Sequence, residues 1–156
     1  MLSMVSGTPW GFDPLTTTVC LFDSDGDCAH FCTDPESFPL DTPPGAQYEY
    51  NSGSSYLLSR MVNERRGDLE LTNYEWPKRR LFDRIGAHSF YIEYQPNGHF
   101  LGGALGYATA RDWARFGLLF LRDGVWIDGA RILPEGWVEY SRTGSDAAGG
   151  GAGYGR

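Results

Sequence analysis

Apolar side chains recur with a helical period most clearly at Trp113, Phe116, Gly117 and Phe120, which fall at i, i+3, i+4 and i+7. That spacing lines one face of a helix. Thr109, with Asp112 three residues on, supplies an N-terminal cap, and Gly124 supplies a stop. The pattern predicts that Trp113, Phe116 and Phe120 are core residues and that Arg111, Arg115 and Arg122 stay outside. A second helix is predicted over 52–66, with Leu57, Leu58, Met61 and Val62 as its apolar stripe, Asn51 or Ser52 as its cap, and Gly67 as its end. A third is predicted over 73–85. There Thr72 and Glu75 have capping-box spacing, Pro77 forces a later start or a kink, and Gly86 suits a left-handed C-cap.

Between the helices the period falls toward two. Phe90–Tyr94 and His99–Leu101 read as a hairpin turned at Asn97-Gly98, and Trp126–Ile127 and Arg131–Ile132 as another turned at Asp128-Gly129. Pro134 suits the first position of a final short helix. Residues 1–40 read as irregular, with Thr16–Val19 as the best strand, and 143–153 form a low-complexity run of Gly, Ala and Ser. The elements add up to an α+β chain, mostly helical, with no internal repeat.

Composition narrows the function classes. At 156 residues one domain is expected, and 41% hydrophobic residues can supply its core. Aromatics at 15% and 21 glycines suit a loop-rich enzyme lobe better than a plain bundle. Thirteen Lys and Arg against 20 Asp and Glu give a net charge of −7, which argues against a nucleic-acid partner. No apolar run reaches the length of a membrane span, and Met1-Leu2-Ser3-Met4 lacks a charged and apolar leader.

Metal sites fit poorly. Asp23, Asp25, Asp27 and Asp34 have the spacing of a calcium loop, but Cys28 stands at the sixth position, where glycine makes the sharp turn. A solvated acidic turn is expected there. Cys20, Cys28 and Cys32 with His30 lack the spacing of a paired-knuckle zinc site, and an odd number of cysteines points to free thiols. No metal or cofactor is expected. His88, just past a helix end, reads as structural, and His99 stands alone.

The chemistry concentrates in Pro44-Gly45-Ala46-Gln47-Tyr48-Glu49-Tyr50-Asn51-Ser52-Gly53. A Pro-Gly turn delivers a short aromatic strand, which breaks into a helix at Asn51 or Ser52. The hydroxyls of Tyr50 and Ser52 then stand at a helix N-terminus, where unpaired N–H groups and the macrodipole favour negative charge. A tyrosine so placed is suited to accept a proton. The competing reading is a buried strand-to-helix aromatic whose hydroxyl is merely satisfied.

Pro44-Gly45-x-x-Tyr48-x-Tyr50-Asn51-Ser52-Gly53 resembles the second active-site motif of the serine β-lactamase and penicillin-binding-protein superfamily, in its class C β-lactamase-like and esterase branch. Four further stretches resemble that branch. Leu2-Ser3-Met4-Val5-Ser6-Gly7 is similar to the segment after the nucleophile helix, and Arg80–Ser89 to its Leu-Phe-x-x-Leu-Gly-Met helix end. Ala108–Gly117 and Leu133-Pro134-Glu135-Gly136-Trp137 are similar to its later helices. Departures are equally specific. The family nucleophile lies in Ser-x-x-Lys, yet the only lysine is Lys78, with Glu75 three residues before it. Arg142-Thr143-Gly144 imitates the third motif, but directly after the Trp137 helix it reads as loop.

The resemblance implies a partial β-lactamase/transpeptidase-like fold: a helical lobe with short hairpins, lacking most of the antiparallel sheet. Its single partial domain divides into an irregular 1–40, a helical lobe over 41–142, and a Gly-rich loop with the start of C-terminal strands over 143–156. It implies an internal piece of a hydrolase acting on an ester, amide or β-lactam through an acyl-enzyme, inactive alone because Ser-x-x-Lys is absent. Tyr50 would be the general base and later the acid. Ser52 stands where the Tyr-x-Asn form has asparagine, which suits an esterase or amidase better than a strict β-lactamase. The alternatives are a non-catalytic binding module on the same fold and a calcium-dependent interaction module on the four aspartates.

Overall fold

A computed structural model describes residues 6–7, 40–50, 52–65, 71–96 and 98–144. These are α+β and mostly helical: α1 (Ser52–Arg65), α2 (Glu75–Pro77), β1 (Tyr91–Ile92), β2 (Gly106–Tyr107), α3 (Ala110–Leu121) and α4 (Trp137–Arg142). Of the expected irregular 1–40 only residues 6–7 and 40 are described; the Thr16–Val19 strand, the aspartate and cysteine clusters, Gly67 and the Gly-rich run beyond 144 lie outside the described residues.

α3 forms where the period places it. Thr109 is extended, and its hydroxyl accepts a bond from the Asp112 N–H. At the other end Gly124 turns left-handed at φ +75° and its N–H closes on the Leu119 carbonyl at 2.9 Å. The buried face is rotated from the expected one. Leu119 is fully buried at the centre of a core with Ile85, Ala87 and Trp126, while Trp113 is 47% exposed. The aromatic stripe rims this core, because a 3₁₀ turn over Asp83–Ile85 and the Val125–Arg131 hairpin pack on the Leu119 side. Arg115, expected outside, is half-buried because it pairs with the buried Asp112; Arg111 and Arg122 are exposed.

The helix expected over 73–85 is broken into three geometries. The Thr72–Glu75 capping box forms: the Glu75 N–H donates to Thr72 Oγ1 at 3.2 Å, and the Thr72 N–H donates to Glu75 Oε2 at 3.1 Å. α2 then runs only to Pro77, followed by a π turn over Lys78–Phe82 and a 3₁₀ turn over Asp83–Ile85. Pro77 brings no N–H and crowds the preceding turn, so the backbone widens behind it. Gly86 ends the segment at φ +66°.

The first hairpin is longer than its pattern. Tyr94 pairs with Phe100, and the Gln95 N–H donates to the His99 carbonyl at 2.7 Å. β1 goes on to pair with β2 in antiparallel register, Tyr91 opposite Tyr107 and Ile92 opposite Gly106. Glu93 pinches the two halves together: its carbonyl accepts from the Leu101 N–H at 2.9 Å, and its N–H donates to the Leu105 carbonyl at 3.2 Å. Gly102, Gly103 and Ala104 are thereby extruded as a bulge.

Three further expectations shift. Met61, placed in the apolar stripe of α1, is 51% exposed; Leu57 of that stripe is buried, together with Ser54, Tyr56, Ser59 and Asn63. α4 begins at Trp137 and not at Pro134, because Gly136 adopts φ +77° and interrupts the helix ahead of it. Residues 47–50 pair with no strand among the described residues; β1 and β2 take each other as partners. Arg142-Thr143-Gly144 closes α4, with Thr143 donating from N–H and Oγ1 to the Glu139 carbonyl at 3.0 and 2.8 Å.

Candidate active site

Pro44-Gly45 makes the turn its residues predict. Gly45 sits at φ +89° and the Ala46 N–H donates to the Pro43 carbonyl at 3.0 Å. An extended run then carries Tyr50, 49% exposed, to the start of α1. Ser52 is the first helical residue and is half-buried; Asn51, the other expected cap, lies outside the described residues.

A segment distant in sequence joins this helix end. Ser6 Oγ and Ser54 Oγ lie 3.3 Å apart, and the Gly7 carbonyl accepts from the Asp41 N–H at 2.9 Å. Gly7 is left-handed at φ +76°, and a Cβ there would collide with the Thr42 carbonyl oxygen, so only glycine permits this approach.

On its other side α1 meets the Gly102–Ala104 bulge at backbone distance. A Cβ on Gly103 would stand 3.1 Å from Ser52 Cβ and 2.9 Å from Tyr56 Cε1, while one on Gly102 would stand 2.9 Å from the Ser55 carbonyl oxygen and overlap Ser59 Oγ. Ser59 Oγ in turn donates to the Ser55 carbonyl at 3.1 Å, and Asn63 Nδ2 to the Ser59 carbonyl at 2.8 Å. These side chains satisfy themselves on their own helix, which lets a polar face be buried against glycine backbone. The sequence reading missed this contact; the signal was the Gly102-Gly103 pair interrupting a strand. Beyond the bulge lies an open cavity of about 550 Å³ whose walls come from residues 81–116. Tyr50 does not line it.

The strongest electrostatic feature lies elsewhere. Asp112, buried at the start of α3, accepts from the Ser89 hydroxyl at 2.6 Å and the Ser89 N–H at 2.9 Å, and pairs with Arg115. The Ser89 bonds lead in holding its carboxyl down at about 2, with Arg115 adding to them. Ser89 Oγ also accepts from the Thr109 N–H at 3.0 Å, so it bridges the two ends of the cap. This clamp ties the turn after Gly86 to α3 and is structural. His88, read as structural, is exposed, with Nδ1 3.2 Å from the Asp83 carboxylate.

Among the described residues no group of three His, Cys, Asp or Glu side chains comes together, and no helix is long and apolar enough to cross a membrane. Compared with known proteins, the chain matches no family model and no curated protein.

Proposed function

We propose that this chain is part of a β-lactamase-like serine hydrolase that cleaves an ester, amide or lactam through an acyl-enzyme, its Ser-x-x-Lys helix supplied from outside these residues. The observation that carries the reading is the meeting of Ser6-Gly7 with α1 at Ser54, 48 positions away, beside Tyr50 and Ser52. A stretch that resembles the segment after the nucleophile helix thus meets the helix that begins at Ser52 of the second-motif stretch.

In the proposed reaction the supplied serine attacks the carbonyl carbon and its proton passes to the Tyr50–lysine pair. The tetrahedral intermediate collapses to the acyl-enzyme as Tyr50 returns the proton to the leaving group. Water then repeats the sequence and frees the acid. Ser52, packed against Gly103, orients its neighbours without carrying the proton.

The test uses the chain alone and the chain fused behind a Ser-x-x-Lys helix encoded upstream. Alone, it should give no covalent adduct with a fluorophosphonate. Fused, it should hydrolyse 4-nitrophenyl acetate, and Tyr50→Phe should lower turnover by about 10²–10⁴-fold with the melting temperature retained. Stoichiometric labelling of one serine in the isolated chain, or parental turnover by Tyr50→Phe, overturns the assignment.

A further inference from the structure

The cavity beyond the bulge is built for a neutral, apolar group. No charged residue lines it, and the Trp113 indole N–H is the one polar side-chain group in its wall. A charge buried there would lose its hydration without gaining a partner. The walls are flat: Phe82 and Phe90 stack at 4.4 Å and 3°, and Trp113 meets Phe90 edge-on at 4.8 Å and 69°. At about 550 Å³ the space lies within the range of about 300–1,000 Å³ typical of ligand sites. A cavity of about 150 Å³ already admits a benzene ring.

One edge is different in kind. Gly102–Ala104 offers no side-chain polar group, and among the described residues the N–H groups of Gly102, Gly103 and Ala104 enter no backbone hydrogen bond. Leu105, next along, is held at φ +62°, a left-handed conformation that leucine adopts only under constraint from its surroundings. Gly103 in the same bulge also stands against Ser52. An apolar chamber with a short backbone edge and a strained residue beside it has the make-up of a small-molecule site.

We propose that this cavity binds the substrate's acyl group, and that this group is a neutral aryl or branched alkyl of up to two fused rings. Its identity as the acyl site rests on the hydrolase reading; its capacity to bind such a group does not. The test is a titration of the ¹⁵N-labelled chain with 2-naphthylacetamide, a neutral probe that is not turned over, followed by NMR. Saturable shifts are expected at the Trp113 indole N–H, identified by its loss in Trp113→Phe, and at the Gly102 and Gly103 amides. The anionic 2-naphthylacetate should bind about tenfold or more weakly. Ala104→Glu, at an exposed lining position, should weaken the amide by a similar factor with the melting temperature unchanged. Absence of saturable shifts, equal affinity for the anion, or an unaffected Ala104→Glu overturns the proposal. So does concentration-dependent broadening of the same signals without probe, which assigns the face to a second copy. Binding as expected alongside a Tyr50→Phe fusion of parental turnover removes the hydrolase reading and leaves the ligand site standing.

Discussion

α1 and α3 are helices of similar length, 14 and 12 residues, that bury opposite kinds of surface. α3 presents Leu119 to the core and a rim of aromatic rings, with Phe116 5.2 Å from Phe120 and 6.2 Å from Trp113. α1 buries Ser54, Ser59 and Asn63 next to Tyr56 and Leu57, and meets another backbone at Gly102-Gly103. One helix is held by apolar volume, the other by proximity. The first kind tolerates small adjustments and dislikes holes. The second leaves no room to add an atom. The candidate active site stands on the second kind, where Ser52 and Gly103 are fixed by close approach.

The sharpest way to break the comparison is to truncate an apolar side chain on each helix. Leu119→Ala should cost about 2–5 kcal/mol in denaturant unfolding, because a fully buried leucine leaves a cavity behind. Met61→Ala, at an exposed position of α1 that its sequence pattern marks as core, should stay within about 0.5 kcal/mol. Equal losses at the two sites would mean that the helices are packed alike.

Gly102→Ala should come next, at about 1–3 kcal/mol, since the new methyl meets Ser59 Oγ and stands 2.9 Å from the Ser55 carbonyl oxygen. Ser59→Ala should restore part of the loss, giving a coupling of about 0.5–3 kcal/mol in a double-mutant cycle. The rescue stays partial because the Ser55 carbonyl belongs to the helix backbone and cannot move aside. Full additivity of the two changes would place the glycine out of contact with α1.

The smallest effect appears only in acid. The Asp112 carboxyl is lowered from 3.8 to about 2 in the fold, so between these values the unfolded chain binds more protons than the native one. Its contribution is present above pH 3.8 and is lost as pH falls toward 2. Stability measured by urea titration should therefore fall across that window, and Asp112→Asn should flatten this part of the profile. An unchanged acid slope in Asp112→Asn would detach the Ser89–Asp112 clamp from stability.

What could be read from the sequence divides along the same line as the two helices. α3 and its caps at Thr109 and Gly124 were legible because period and capping are local properties. So were the Thr72–Glu75 box, the Gly86 cap and the tight turn at Asp128-Gly129, where Gly129 adopts φ +87°. The rotation of α3 was not legible, because Trp113 and Leu119 are both apolar and only the position of Ile85 and Trp126 chooses between them. Leu57 apart, the buried face of α1 was invisible to a hydrophobic pattern, since serine and asparagine carry no such signal. β2 escaped because Gly106–Tyr107 is two residues long and follows a bulge. At the candidate site, the Pro44-Gly45 turn and the positions of Tyr50 and Ser52 at the start of a helix were legible locally. The cavity was not, for its walls meet only when residues 81 and 116 come together.

The wide turn behind Pro77 has a consequence for how this chain can change. Ahead of it, Asn73 bonds the Gly98 carbonyl and the Tyr74 ring lies 5.9 Å from that of Tyr94. Behind it, Ile85 is buried in the core with Ala87, Leu119 and Trp126. An unbroken helix advances about 100° per residue, and the extra residue of the π turn sets the angular phase between these two contact faces. Removing one residue from Lys78–Phe82, even the exposed Arg80, would swing one face about 100° out of register with the other. Replacing Arg80 by another side chain leaves that phase intact. The exposed positions of this stretch can therefore drift in residue type while its length stays locked.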